Sequence, residues 1–244
     1  MAAVGEQPRS VAYRLEAYDA ICGLGAGGMA EVHLARTRTK TPHLVIIKAL
    51  PEAFSGQADR MDMFADEARV ANLLRHPNIV RLLEAGYHEQ EPFMVLEYVD
   101  GPSFRELVAD AGSRRVTMDL QLAVSLAIAA ADGLHYAHLA TDAFGEPLGL
   151  VHRDVSPQNL MVNSRGHLKI LDVGVARATG RRHETEGRAV KGKLSYTPPE
   201  YILGATPDHR ADVFALGVVL WELVTSRRLF FGTNMAQTVK AVLN

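Results

Sequence analysis

The chain has 244 residues, 48% of them hydrophobic, with 26 Lys and Arg against 28 Asp and Glu for a formal charge of -2. That length and apolar content supply a substantial core and exclude a disordered chain, while the near-neutral charge excludes a general attraction to nucleic acid or to an anionic membrane. The single cysteine, Cys22, excludes an internal disulfide and a multi-cysteine zinc site, so a reducing compartment, the cytoplasm, is the expected location.

MAAVGEQPRS lacks the apolar core of a secretory signal, and residues 1–12 read as a short mobile tail. Residues 13–98 carry short β-like runs, AEVHLART, HLVIIKAL, VRLLEAGY and FMVLEYV, bounded by Gly, Pro and charged breaks. One helix interrupts them. ADRMDMFADEARVANLL places Met61, Phe64, Ala68, Ala71 and Leu74 on one face, with Glu67 at its edge, and stops before Pro77. Residues 99–244 change to helical patterns: SFRELVADAG, TMDLQLAVSLAIAAADGLHYAHLA and HRADVFALGVVLWELVTS. NLMVNSRGHLKILD reads as a small hairpin turning at Ser164 to Gly166. The apolar runs Leu120 to Ala131 and Ala211 to Val224 contain polar breaks and fall short of the roughly 18–20 residues of a membrane span. Buried helices and no membrane span are therefore expected. The change of texture predicts an α+β chain of two lobes, a small antiparallel sheet lobe with one helix and a larger helical lobe, joined near Glu97 to Gly101. A cleft between lobes is a common ligand site.

GLGAGGMAEVHLA runs from one β-like segment into another. A dinucleotide fingerprint or Walker loop needs a helix directly after its glycines, so a hairpin whose backbone can close over phosphates fits better, although a plain β-turn has the same composition. On HLVIIKAL, Leu44, Ile46 and Lys48 share one face. An amine among apolar neighbours needs solvent or a partner, and Glu67 is the candidate. The alternative is a surface lysine and an unrelated glutamate.

With these motifs and VHRDVSPQN in one order, the sequence resembles the eukaryotic-type protein kinases, most closely the bacterial serine/threonine group. The order is GAGGMAEV, VIIK, Glu67, HPNIV, LEYV, HRDVSPQN, DVG, PPE and DVFALG. The resemblance implies a bilobal kinase fold that binds ATP with Mg²⁺, or Mn²⁺ in its place, and phosphorylates a serine or threonine hydroxyl of a protein. It implies Asp154 as the base, Asn159 and Asp172 as metal ligands, and Lys48 braced by Glu67 on the phosphates. It places Leu24, Gly25, Ala26 and Gly27 against the triphosphate, Val32 and Ile46 over the adenine, and Leu96 behind it. The backbone of Glu97 and Val99 would bond the base, and Glu106 the ribose. Asp212 would anchor the catalytic-loop backbone, His152 would pack in the core, and Glu200 would take an arginine from a later helix of a longer protein.

Some positions depart from the family pattern. Ala30 replaces the third glycine, Ile46 a small alanine, Val173 a phenylalanine, Ser156 the catalytic-loop lysine and Lys193 a threonine. Ser156 could hydrogen-bond Asp154 or the substrate, and Lys193 could supply the missing charge. Arg153 could clamp a phosphothreonine, with Thr179 and Thr185 as the expected autophosphorylation sites after self-association. His135 and His138 have no partner set for zinc. A nucleotide-binding pseudokinase scaffold and a small-molecule phosphotransferase remain as alternatives.

Overall fold

The computed structural model describes residues 15–26, 30–54, 56–89, 91–173, 194–206 and 208–244. Gly27, Thr179, Thr185 and Lys193 lie outside the described residues. The chain divides into two compact units, the first ending at 72 and resuming over 81–98, the second made of 73–80 and 99–244.

The first unit is built on a five-stranded antiparallel sheet: β1 (Tyr18–Ala26), β2 (Glu31–Thr37), β3 (Leu44–Ala49), β4 (Leu82–His88) and β5 (Glu91–Glu97), in the order β1-β2-β3-β5-β4. Alternation gives the sheet two faces. Ala35, Val45, Ile47 and Val95 on one face are fully buried and pack with Tyr18 and Phe93. Truncating Ile47 to Ala would cost about 2–5 kcal/mol. Helix α1 (Ala58–Leu73) packs Phe64 with Ala30, Leu50 and Met94, flanked by Met61 and Ala68. Val70, outside the predicted stripe, is also buried, and Leu74 lies past the last helical residue, in the second unit.

The second unit holds α2 (Phe104–Arg114), α3 (Leu120–His138), the hairpin β6 (Leu160–Val162) and β7 (Leu168–Ile170), the short α4 (Pro199–Ile202), α5 (Arg210–Thr225) and α6 (Met235–Leu243). Helix α3 buries Ala123, Leu126, Ala130, Gly133, Leu134 and Ala137 at helical spacing and packs on α5 and β7. By length and composition alone α3 could cross a bilayer, which the expectation had denied it; one face packs on α5 and β7, and Leu120, Leu122 and Ile128 on the rest of it are exposed. Asn163 turns the hairpin, its side-chain oxygen accepting from the backbone of Arg165 and His167, with Gly166 at φ 82°. Gly101 passes so close to this hairpin that a Cβ would stand 1.9 Å from the Val162 carbonyl, so only glycine fits. Residues 73–80 join the same hairpin: Val80 N donates to Ile170 O at 2.9 Å, and Ile170 N to Asn78 O at 2.7 Å.

Candidate active site

In the first unit the register places Val32 opposite Lys48, Leu34 opposite Ile46, and Ile46 opposite Leu96. Val32, Ile46, Lys48 and Leu96 therefore share the sheet face opposite the Ile47 core. Lys48 Nζ donates to Glu67 Oε1 of α1 at 2.5 Å, with side chains 13% and 23% exposed. A half-buried, charge-assisted pair of this kind fixes the amine's position more firmly than a surface pair would. Gly25 pairs with Val32 across a bulged part of β1, and Leu24 beside it is exposed. At the end of β5, Glu97 N donates to Arg81 O and its carboxylate accepts from Arg81 N, both at 2.9 Å. The Glu97 N–H is thus committed inside the sheet.

In the second unit the catalytic-loop motif is held from beneath by α5. Asp212, 1% exposed, accepts from His152 N on Oδ2 and from Arg153 N on Oδ1, each at 2.8 Å. His138 Nε2 of α3 lies 2.7 Å from Oδ2, so one carboxylate takes three donors. These bonds hold Arg153 at φ 60°, a left-handed conformation that a non-glycine residue keeps only when its surroundings impose it. Sequence reasoning missed His138. It lies 74 positions from Asp212, and no local spacing links the two. Among the described residues no cluster of three or more His, Cys, Asp or Glu could hold a metal.

His152 orients the next step. Its Nδ1 accepts from Asp154 N at 3.3 Å, so the proton sits on Nε2, which meets Leu171 O at 3.1 Å. Leu171 N donates to Asn159 O at 2.8 Å. Leu171 is thereby fixed to the loop through both backbone groups, and Asp172, the next residue, is exposed at φ 46°. Asn159 Nδ2 donates to Asp154 O at 2.8 Å, which leaves its Oδ1 as the amide atom for a ligand. Two oxygen donors suit Mg²⁺, which takes one or two protein ligands and fills the rest of its octahedron with water and phosphate.

Other expected residues sit differently. Glu106 closes a capping box at the start of α2: its Oε2 accepts from Ser103 N and Oγ at 2.7 Å. These bonds hold its carboxyl below the ordinary value. Ser156 does not bond Asp154; it is 3% exposed, and its hydroxyl has no hydrogen-bond partner among the described residues. Arg153 Nε is likewise buried without one. Glu200 is exposed in α4, and Arg210 acts on it electrostatically. Val99, where the chain returns to the second unit, accepts at its carbonyl from Gly101 N, and Val173 is buried.

Residues 18–244 match the protein kinase domain family. Tyrosine-protein kinase MasK of Myxococcus xanthus is 40% identical over 222 residues, covering 90% of this chain and 34% of its own. Probable serine/threonine-protein kinase CPE1738 of Clostridium perfringens is 32% identical over 217 residues, 89% of this chain and 30% of its own. Serine/threonine-protein kinase PknB of Mycobacterium leprae is 35% identical over 216 residues, 86% and 33%. The chain spans about a third of the length of these curated relatives. With an antiparallel sheet unit followed by a helical one, and the family's motifs in order along both, the chain belongs to the protein kinase family.

Proposed function

We propose that this chain transfers the γ-phosphoryl group of ATP to a serine or threonine hydroxyl of a protein, with Mg²⁺ or Mn²⁺ held by Asn159 and Asp172. The observation that carries the proposal is the double tether of Leu171 to His152 and Asn159, because it sets Asp172 beside the loop of Asp154 and Asn159. Asp154 orients the incoming hydroxyl and takes its proton. Lys48, steadied by Glu67, holds the α and β phosphates, and the apolar face of Val32, Ile46 and Leu96 takes the adenine. A metal ion held by Asn159 and Asp172 would supply charge neutralisation for the transferred phosphoryl group, in the general manner described for kinases. The protein's own work is positioning and electrostatics. Autophosphorylation on Thr179 or Thr185 by self-association, with the phosphate on Arg153, belongs to the same reading, and the cytoplasm is its proposed setting.

The acceptor residue is the finer part, since one relative is named a tyrosine kinase and two are named serine/threonine kinases. Incubation with radiolabelled ATP and a generic protein, followed by phosphoamino-acid analysis, decides it. Phosphoserine and phosphothreonine are expected, with labelling reduced about 10²–10⁴-fold in Asp154→Asn. Phosphotyrosine alone would replace the acceptor assignment. ATP binding with no label would leave a scaffold, and label on a small molecule alone would point to the other phosphotransferase class.

A further inference from the structure

Residues 73–80 carry the chain on its first passage from the first unit into the second, and His76 in their middle is held from three sides. Asn78 N donates to His76 Nδ1 at 3.2 Å. His76 Nε2 lies 3.2 Å from Asp132 Oδ2 of α3, with side chains 13% and 64% exposed. The imidazole stacks on Tyr136 of α3, with 5.0 Å between ring centres, and the Tyr136 hydroxyl accepts from Arg75 N at 3.4 Å. From the β6–β7 hairpin, Lys169 Nζ reaches Ile79 O at 3.5 Å. Asp132, Tyr136, Arg75 and Lys169 are the titratable and charged groups that these packed elements bring to the turn.

An imidazole that accepts at Nδ1 is neutral and carries its proton on Nε2, toward Asp132. An imidazolium has donors on both nitrogens, so neither ring orientation offers Asn78 N an acceptor. Protonation would set two donors 3.2 Å apart, and one of them has to withdraw. A hydrogen bond lost in this way is worth about tenfold in a local equilibrium. The exposed carboxylate of Asp132 returns at most about fivefold of that, and the tyrosine face adds a smaller attraction for a cation. Both favour the charged ring where it stands, so the ring stays and the backbone at Asn78 gives way.

We propose that His76 is a pH-sensitive fastener of the segment that follows α1. While the imidazole is neutral, Asn78 N is bonded and the segment is closed. In mild acid the bond opens, and the end of α1 at Leu73, the helix that carries Glu67, loses that anchor three residues on. The bond is thus present above the range of about pH 5–8 in which imidazoles ordinarily change charge, and is lost as pH falls through it. The device goes beyond the phosphoryl-transfer reading and does not depend on it.

The test follows backbone amide exchange by NMR across the same range, corrected for the intrinsic rate. The Asn78 amide of the wild type should lose about tenfold in protection toward acid, while the β3 amides hold theirs. His76→Asn puts an amide oxygen near the place of Nδ1 and does not titrate, so its Asn78 amide should keep its protection. Asp132→Asn removes the acid that favours the charged ring and should move the loss to lower pH. A flat wild type, the same loss in His76→Asn, or a loss shared equally by β3 overturns the proposal. Should His76→Asn not fold, long-range ¹H–¹⁵N spectra of the wild-type imidazole decide. A proton on Nε2 alone at neutral pH, joined by one on Nδ1 as the Asn78 amide signal shifts, supports the fastener, and a neutral ring with its proton on Nδ1 overturns it.

Discussion

Asp212 opens an otherwise apolar helix, and its three donors explain how an acid can sit there at 1% exposure. The sequence asked only for hydrogen bonds here, because a buried acid in an apolar run must find them; the anchoring of the catalytic loop came from the family resemblance. Its partner His138 was illegible, and so was the fate of Ser156, whose hydroxyl is buried instead of reaching Asp154 or the substrate. Both depend on contacts far apart in the chain. Asp212→Asn keeps the shape but turns an amide donor toward a backbone or imidazole donor, at about 3 kcal/mol. In a chain of this length that lowers the melting temperature by roughly 6–12 °C, and kcat falls with it as Arg153 and Asp154 lose their tether. His138→Gln can still donate one bond, and we expect a loss of about 1 kcal/mol. Thermal melts and turnover of the two variants check the order; equal melts and full turnover in Asp212→Asn would remove the anchor.

Helix α2 shows how an element can be legible while the role of its residues is not. SFRELVADAG was read as helical, yet Glu106 was given to a ribose. The pattern Ser-x-x-Glu is also the signature of a capping box, and the geometry realises that box in full. Ser103→Ala is expected to cost about 1 kcal/mol. Acid should have a similar effect on the wild type. The carboxyl of Glu106 is held below its ordinary value of 4.5 by the Ser103 hydrogen bonds, so its contribution is present above that pH and lost as pH falls through the lowered folded value. Because the group is mostly exposed, that contribution is small. Urea unfolding of wild type and Ser103→Ala should thus differ most near neutral pH, and the gap should narrow at the acid end without closing, since the bond from Glu106 N to Ser103 Oγ does not titrate. A gap that widens in acid would sink the assignment.

At the scale of the whole molecule, the change of texture near residue 98 was visible because sheet and helix write different hydrophobic periods. The segment 73–80 was not, since it follows a first-unit helix and precedes a first-unit strand, and nothing in HPNIV signals its hydrogen bonds. Those bonds run to the hairpin of the second unit: Asn78 Nδ2 to Leu168 O at 3.2 Å, Ile170 N to Asn78 O, and Val80 N to Ile170 O. The side chain of Asn78 also lies near Gly133 of α3, where a Cβ would meet it at 3.3 Å. Units with separate cores open separately, and amide exchange reads each opening. The amides of Val80 and Ile170 should therefore exchange with the second unit, at a rate distinct from that of the β3 and β5 amides. Asn78→Ala removes one side-chain bond to the hairpin, and about 1 kcal/mol of lost protection is expected at Val80 and Ile170. The paired strands Val45–Ala49 and Phe93–Glu97 should keep their exchange rates. Equal acceleration in both sets would mean that the chain opens as a single cooperative body, and that residues 73–80 belong to neither unit more than to the other.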